Sequence, residues 1–353
     1  MNWANRAVSN ISAAVAQRLV DRCELKFNEA VISNISNEGF DLSLQGSLTK
    51  AAPVETRIEF TEPVKVEWEG SSIAMIELPF IIAAGGKGVP NYCPDARLIV
   101  TDQDKFTQFS IFIFTNPSFS WTIFTDKLRL TVTSLGTVFE NISLRKKVEF
   151  RAFDGLRNDQ IGLRRFEGLN LGEGEGGVGS GGVGVGVGGG AEGSGAEGGS
   201  GGGSSGGGGI QIEIDSEIPS HAQLGLDLGI VTFTAKFKGV TVGSLTTTQN
   251  LILSPNSVTK THLTGRIVPQ SGSDLEAPVI EELFSKYLAG ENQTLQLVGE
   301  SVHPPSGSGL GSSSPSPHPT PSSSDPAPAW LTTAIQSLTW EVVLSGSGAK
   351  AKV

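Results

Sequence analysis

The clearest signal along the chain is an alternation of apolar and polar residues between positions 24 and 80. The stretches TRIEF (56–60), VKVEW (64–68) and IAMIEL (73–78) each place their apolar residues on one face, which is typical of half-buried β-strands. Turn-forming residues separate these stretches, Gly70 among them. The pattern therefore predicts antiparallel strands, with a hairpin that reverses at Gly70.

A similar alternation returns after residue 210. The stretch WEGSSIAMIEL (68–78) aligns without a gap with FKGVTVGSLTT (237–247), and Gly70 falls opposite Gly239. In each half, a predicted helix and further strands follow the hairpin. We interpret the halves as an internal duplication. The alternative is chance convergence, because alternating strands resemble one another by their period alone.

The N-terminal residues 3–22 have a helical period. Val8, Ile11, Val15 and Leu19 recur at spacings of three and four and form a narrow apolar stripe. The stripe lacks the bulky apolar and basic residues of helices that lie on membranes. We expect this helix to dock through its stripe on a sheet or on another helix.

A short helix is predicted near the middle of the first half. Asp102 is placed as its N-cap, and Phe106, Phe109 and Ile113 lie on one face. The helix is expected to end before Asn116, because Pro117 follows and the residue before a proline avoids helical geometry.

The second half contains the clearest helical pattern, over residues 273–290, with Ser273 as a plausible cap and Gly290 as a C-terminal stop. The stretch PAWLTTAIQSLTWEVVL (328–344) predicts a short helix followed by a last strand.

Two segments have almost no apolar residues of the kind that build a core. Residues 169–209 are mostly glycine, and residues 304–328 are rich in proline and serine. Such segments bury too little surface to offset backbone entropy, so both are predicted to be disordered insertions. The predicted organisation is an N-terminal helix (1–23), a first β-sandwich (24–168), the glycine-rich insertion (169–209), a second β-sandwich (210–346) that contains the insertion at 304–328, and a tail (347–353).

Composition narrows the classes of partner. The 353 residues carry a net charge of −10, which argues against a nucleic-acid partner. No apolar run reaches the roughly 18 residues of a membrane span, so the chain is expected to be soluble or peripheral. Two cysteines, Cys23 and Cys93, are too few to form a structural zinc site. Whether they form a disulfide with each other is left as an open alternative.

The residues that carry most enzyme chemistry are few and scattered. The histidines are His221, His262, His303 and His318, and no Gly-x-Ser-x-Gly elbow precedes a helix. The glycine tract has no lysine and does not form a phosphate loop. The histidines are predicted to be surface or strand-edge residues, and no catalytic residue, cofactor or metal site is assigned.

Paired carboxylates are the remaining catalytic candidates. Glu55 and Glu59 share one strand face, and Glu62, Asp102 and Asp104 lie in turns or near a helix start. Two facing carboxyl groups would be needed for glycoside hydrolysis, and a calcium loop would need more ligands. We expect these acids to lie on solvated faces, and Asp102 to act as a helix cap.

Four Asn-x-Ser/Thr acceptors for N-linked glycans are present, at Asn10, Asn34, Asn141 and Asn292. The number is close to what chance gives in a Ser/Thr-rich chain. The acceptors are therefore weak evidence for a lumenal location.

Three stretches of the first half, APVETRIEFTEPVKVEWEGSSIAMIELP, FSWTIFTDKLRLTV and ISLRKKVEFRAFDGL, resemble a family of fungal proteins that is distantly similar to the late-embryogenesis-abundant type 2 domain. IEIDSEIPS, LTGRIVP, YLAGENQTLQLVGESV and WLTTAIQSLTWEVVL are similar to the second domain of the same proteins. The resemblance implies tandem immunoglobulin-like β-sandwiches on the lumenal side of the fungal vacuolar membrane. Some relatives are linked to control of autophagy. This chain departs from the family in having no membrane span.

Three functions remain as hypotheses. The first is a non-enzymatic structural or interaction module that contacts a protein partner or a lipid surface, with strand edges and the helix face near Phe106 as contact regions. The second is a protein that binds lipid or another hydrophobic ligand between its sheets. The third is a carbohydrate-active enzyme with facing carboxyl groups, one of them with a raised pKa.

Overall fold

The computed structural model describes residues 14–50, 55–83, 89–133, 136–156, 210–267, 277–305, 326–344 and 346. These residues form an all-β, sandwich-type structure with short helices, as predicted. The predicted glycine-rich insertion, most of the proline- and serine-rich insertion, and most of the tail lie outside the described residues.

Lobe one comprises the described residues from 14 to 156. It begins with helix α1 over residues 14–22. Its strands are β1 (Glu24–Ser33), β2 (Gly39–Thr49), β3 (Thr56–Phe60), β4 (Val64–Trp68), β5 (Ser71–Glu77), β6 (Ile81–Ala83), β7 (Val89–Val100), β8 (Ser118–Val132) and β9 (Thr137–Arg151), with helix α2 (Gln103–Thr115) between β7 and β8.

Lobe two comprises the described residues from 210 to 346. Its strands are β10 (Ile210–Pro219), β11 (Leu224–Asp227), β12 (Ile230–Phe237), β13 (Val240–Thr247), β14 (Ile252–Leu253), β15 (Val258–Ile267), β16 (Gln293–His303) and β17 (Thr339–Leu344). Helix α3 (Ala277–Leu288) precedes β16, and helix α4 (Ala329–Gln336) precedes β17.

The two lobes share one order of strands. Lobe one contains the antiparallel series β2-β7-β5-β4-β8-β9, and lobe two contains the antiparallel series β10-β15-β13-β12-β16-β17. In each series a helix precedes the fifth strand, α2 before β8 and α3 before β16. Duplication itself stays a prediction, and this shared order is the structural observation that favours it.

The two hairpins that align in sequence also share their local geometry. Both central turn residues have positive φ in each hairpin, 48° and 78° at Glu69 and Gly70, and 50° and 83° at Lys238 and Gly239. This is the turn type that matches the twist of adjoining strands. Each hairpin also has a register shift three residues before its glycine, between Val66 and Glu67 and between Ala235 and Lys236.

The sheet of lobe one does not end within lobe one. Strand β11 of lobe two pairs in parallel with β1, with Ala30 opposite Leu224 and Ile32 opposite Leu226, and β14 pairs with β11. One 11-stranded sheet therefore runs from lobe one into lobe two, beside a 6-stranded sheet that belongs to lobe two. The linear sequence of two sandwiches does not predict this shared sheet.

Helix α2 follows the sequence prediction closely. The Asp102 side chain accepts a hydrogen bond from the Lys105 backbone N–H at 2.9 Å, so Asp102 is the predicted N-cap. Phe106 and Phe109 are buried and the helix ends at Thr115, before Asn116.

Helix α1 docks through a different face from the predicted one. Ala16 and Val20 are buried, whereas Val15 and Leu19 of the predicted stripe are exposed. With this face inward, and with the small Ala16 in it, Gln17 reaches the backbone of Ser143 on β9. Val8 and Ile11 lie outside the described residues.

Helices α3 and α4 begin and end close to the predicted positions. Gly290 follows α3 with a φ of 85°, the left-handed geometry of a helix stop, while Ser273 lies outside the described residues. Of the predicted insertion 304–328, residues 306–325 lie outside the described residues, and both of its ends are described. Pro328 is the N-cap position of α4 and Ala327 packs on the core, so ordered chain begins before α4.

Candidate functional site

His262 and Asp215 form the closest pairing of a histidine with a carboxylate that the described residues contain. Asp215 and His262 are opposite each other on β10 and β15, and His262 Nδ1 lies 2.6 Å from an Asp215 carboxylate oxygen. Glu213 is 4.0 Å from Nε2 of the same ring. The cluster lies on a solvent-accessible sheet face and consists of a histidine and two acids, whereas nucleophilic catalysis would also need a serine or cysteine beside the ring.

The other histidines are not brought into this cluster. His221 is exposed before β11, and His303 is exposed at the end of β16. His318 lies outside the described residues. Within the described ranges, no three His, Cys, Asp or Glu side chains are grouped closely enough to hold a metal ion.

Two of the candidate acids of lobe one, Glu59 and Glu62, are engaged in surface ion pairs. Glu59 pairs with Arg57 at 2.9 Å, and Glu62 pairs with Lys127. Two other acids have lowered pKa values, which is opposite to the raised pKa of a general acid. Hydrogen bonding to Lys50 lowers the pKa of Glu24, and hydrogen bonding to Lys238 and Lys286 lowers the pKa of Glu282 to about 2.

Cys23 is a free, buried thiol that donates a hydrogen bond to the Val20 carbonyl at 3.1 Å. Burial raises its pKa, while the charge of Lys146 acts in the opposite direction. The thiol is therefore held in its protonated, less reactive form. Cys93 lies on β7, with a side chain outside the described residues.

The contact between the two lobes is the most extensive of the candidate sites. Trp330, at the start of α4, inserts into lobe one, where its ring lies 5.8 Å from Phe40 and 5.3 Å from Phe106. Its Nε1 donates to the Ser36 carbonyl at 3.2 Å, and the neighbouring Ala329 N–H donates to Asn37 Oδ1 at 3.0 Å. The predicted contact region near Phe106 is thus already covered by α4.

Gln223 joins the two lobes at a second place. Its side-chain amide accepts from Arg151 N at 2.8 Å and donates to the Phe27 carbonyl at 3.0 Å, and its own backbone bonds Arg151 and Ala30. One residue of lobe two therefore satisfies backbone groups of both β9 and β1, whose facing side chains Phe27 and Phe150 stack 5.6 Å apart. This glutamine therefore bridges the edges of β1 and β9.

Gln17 of α1 plays a similar part further along β9. Its amide both accepts from Ser143 N and donates to Ser143 O, each at 2.9 Å. Sequence reasoning missed both glutamines, because neither the strand edges nor their partners can be identified without the pairing of distant segments.

Two exposed apolar side chains lie at or directly before β6. Phe80 is 52% exposed and Ile82 is 50% exposed, and the Arg57 guanidinium lies 4.1 Å from the centre of the Phe80 ring. In the part of the chain that the structure describes, β3 is the strand partner of β6. A short edge with two exposed apolar side chains is a surface that can accept another strand.

The predicted glycan acceptors are placed in different environments. Asn34 is half-buried and hydrogen-bonded, whereas Asn141 and Asn292 are exposed. Asn10 lies outside the described residues. No described helix has the length and apolar character to cross a bilayer.

Comparison with known proteins identifies one sequence family, described as a protein of unknown function (DUF3712), which matches residues 71–170. No curated protein matches the chain. Among solved structures, the periplasmic chaperone SfaE is similar at 8% identity, with 78% of this chain and 92% of that chain covered and a TM-score of 0.17. A likeness at that TM-score carries no argument about fold or function.

Proposed function

We propose that the chain is a non-enzymatic β-sandwich protein that acts as a structural or interaction module on the lumenal side of the fungal vacuolar membrane. The resemblance of its strands to the fungal family supports the location, and the match of residues 71–170 to a family of unknown function is compatible with it. We include in this proposal a role of the protein in the control of autophagy.

The observation that carries the proposal is the fixed connection between the lobes. Trp330 is buried in lobe one, and β11 extends the sheet of lobe one through β1. Contacts between domains are usually polar and permit motion, whereas a shared sheet and a buried aromatic side chain hold two lobes in one orientation. Such a body presents its outer surfaces in constant positions, as a scaffold requires.

The partner surface in this proposal is the β6 edge. The exposed side chains are Phe80, which directly precedes β6, and Ile82 within β6, while Ala83 is buried. An extended apolar segment of a partner protein would add a strand, with backbone hydrogen bonds supplying affinity and the two apolar side chains supplying selectivity.

Localisation is tested by protease protection. The tagged chain, expressed in the source fungus, should co-purify with vacuolar membranes and be digested only after detergent opens them. Digestion without detergent, or recovery in the cytosolic fraction, would exclude the lumenal assignment.

Partner binding is tested by cross-linking and mass spectrometry on the same membranes. The double variant Phe80→Asp, Ile82→Asp should lose its cross-linked protein. Val258→Asp is the matched control, because Val258 is an equally exposed apolar residue at 55%, on lobe two. Equal loss in the control would show that the β6 edge is not the contact.

The alternative, a protein that binds lipid or another hydrophobic ligand, predicts a different result. Native mass spectrometry of the purified protein would then detect a retained lipid in about one-to-one amount. The third hypothesis, a carbohydrate-active enzyme, predicts that Asp215→Asn with Glu213→Gln abolishes a hydrolytic activity. An unaltered cellular role for that variant favours the scaffold.

A further inference from the structure

The three described glycan acceptors differ in what their side-chain nitrogen does. An N-linked glycan is attached to Nδ2 of asparagine, so a site is available in the folded protein only if that nitrogen can carry a large group into solvent. The structure permits this comparison at Asn34, Asn141 and Asn292.

The Nδ2 of Asn34 is hydrogen-bonded within the fold. It donates a hydrogen bond to Asp41 at 2.6 Å, and Asp41 also accepts from Arg97 at 2.6 Å. Asn34 itself has a φ of 49° and precedes the buried residue Ile35. A sugar on this nitrogen would replace one of its two hydrogens inside a half-buried, charge-assisted network.

The side chain of Asn141 is in a different environment from that of Asn34. Asn141 is exposed and has a φ of 58°, at a place where β9 shifts register against β8. The hydroxyl of Ser143, the third residue of this acceptor, donates to Asp126 at 2.9 Å. A bulge of this kind turns a side chain away from the ladder, so a sugar here displaces no backbone hydrogen bond.

Asn292 is hydrogen-bonded through its oxygen atoms. Its Oδ1 accepts from the Gly346 N–H at 3.3 Å, and its carbonyl accepts from the Gln293 side chain at 2.8 Å. The residue is exposed, between α3 and β16. Both bonds are compatible with a substituent on Nδ2.

We infer that the folded protein carries N-linked glycans at Asn141 and Asn292 and not at Asn34. The inference rests on the proposed lumenal location. In the transfer, Nδ2 attacks C1 of the sugar of a polyprenyl-diphosphate oligosaccharide. The N–C1 bond forms, the C1–O bond to phosphate breaks, and Nδ2 loses one proton as the diphosphate leaves. No oxidant or reductant takes part.

The test directs the full chain into the secretory pathway of yeast with a cleavable signal, in an Asn10→Gln background. Site occupancy is measured by peptide mass spectrometry after glycosidase treatment in heavy-oxygen water. We expect occupancy at Asn34 in the folded, secreted chain to be about tenfold lower than at the other two sites, because a sugar there disturbs the charge-assisted bond to Asp41.

Controls separate acceptor geometry from folding and from location. Asn141→Gln and Asn292→Gln should each remove one step of electrophoretic mobility, whereas Ser36→Ala, which destroys the Asn34 acceptor and keeps its amide, should remove none. Equal occupancy at Asn34, or an unmodified Asn141 and Asn292 in folded secreted chain, would overturn the inference. The forced signal makes this outcome independent of the natural location, which the protease-protection experiment tests separately.

Discussion

Helices α2 and α3 occupy the same place in the strand order of their lobes but have different neighbours. Helix α2 lies against α4 of the other lobe, and its residues Phe106 and Phe109 are buried among aromatic rings. Helix α3 packs on β12 and β16 of its own lobe. On the outer side of α3, Glu282 accepts a hydrogen bond from Lys238. One topology therefore supports two uses of a helix, docking between lobes and covering a single lobe.

The two lobes also differ in the residues that fill their cores. Buried aromatic side chains dominate the α2 side of lobe one: Phe40, Trp68, Phe106, Phe109, Phe119, Trp121 and Phe150. The sheet of lobe two is filled mainly by isoleucine, leucine and valine around Phe233 and Trp340, whose rings lie 4.6 Å apart. Aromatic rings provide large contact areas at a lobe boundary, whereas branched aliphatic residues suit a strand interior.

The largest effect should come from removing the aromatic link between the lobes. Trp330→Ala is expected to lower the free energy of unfolding by about 4 kcal/mol, because a buried aromatic side chain leaves a cavity and an unpaired Ser36 carbonyl. Urea titration followed by fluorescence and circular dichroism measures this. Trp330→Phe, which keeps most of the ring contact, is the control. Equal stability of the alanine variant and the parent would contradict the docking role.

Breaking the Gln223 bridge between β1 and β9 should have the next largest effect. Gln223→Leu leaves the Arg151 N–H and Phe27 carbonyl without partners and is expected to cost about 2 kcal/mol. Gln17→Leu, which removes two bonds to the backbone of Ser143 and one to the exposed Asp21 side chain, is expected to cost about 1 kcal/mol. Chemical denaturation gives both values, and hydrogen exchange at Arg151 should accelerate only in the Gln223 variant. A larger loss for Gln17→Leu would reverse the proposed ranking.

The two aligned hairpins should respond alike. A Cβ at Gly70 or Gly239 would meet no atom within 4 Å, so the cost of alanine there is the cost of positive φ. Each substitution is expected to destabilise by about 1 kcal/mol. Thermal unfolding of the two variants measures the difference, which should be near zero. A clearly unequal pair would show that the turns differ in ways that their φ values do not reveal.

The smallest effect concerns the ion pairs of α3 and has a defined sign. The pKa of Glu282 is lowered to about 2, so its contribution to stability is present above its ordinary value of 4.5 and is lost as the pH falls from 4.5 towards 2. Because the group is exposed, the effect is small and screened by salt. Glu282→Gln should flatten the acid limb of the melting temperature between those pH values, whereas Glu281→Gln should not.

The strands and helices of both lobes could be predicted from local pattern, because alternation and capping are read within ten to twenty residues. Asp102 and Gly290 are examples in which one residue type identifies a helix end. The predicted face of helix α1 is wrong, since Ala16 and Val20 are buried whereas Val15 and Leu19 are exposed. Close approach favours small side chains, which a search for bulky apolar residues overlooks.

The contact between lobes could not be predicted in this way. Trp330 fits a local helix pattern equally well whether it packs on its own lobe or on the other, and its position against Phe106 depends on two segments far apart in sequence. Gln223 has no motif at all. Its role follows from the backbone groups that β1 and β9 leave unpaired, which become known only when the strand order is known.

The pairing of β1 with β11 has a consequence for synthesis of the chain. Phe27 and Gln223 are 196 positions apart, so at roughly 5–20 residues per second a ribosome takes roughly 10–40 s to make the partner that the first strand needs. During that interval the nascent protein holds an unfinished strand whose backbone is open to mispairing. We therefore expect freshly made protein to mature slowly, because the first strand of the shared sheet waits for its partner β11.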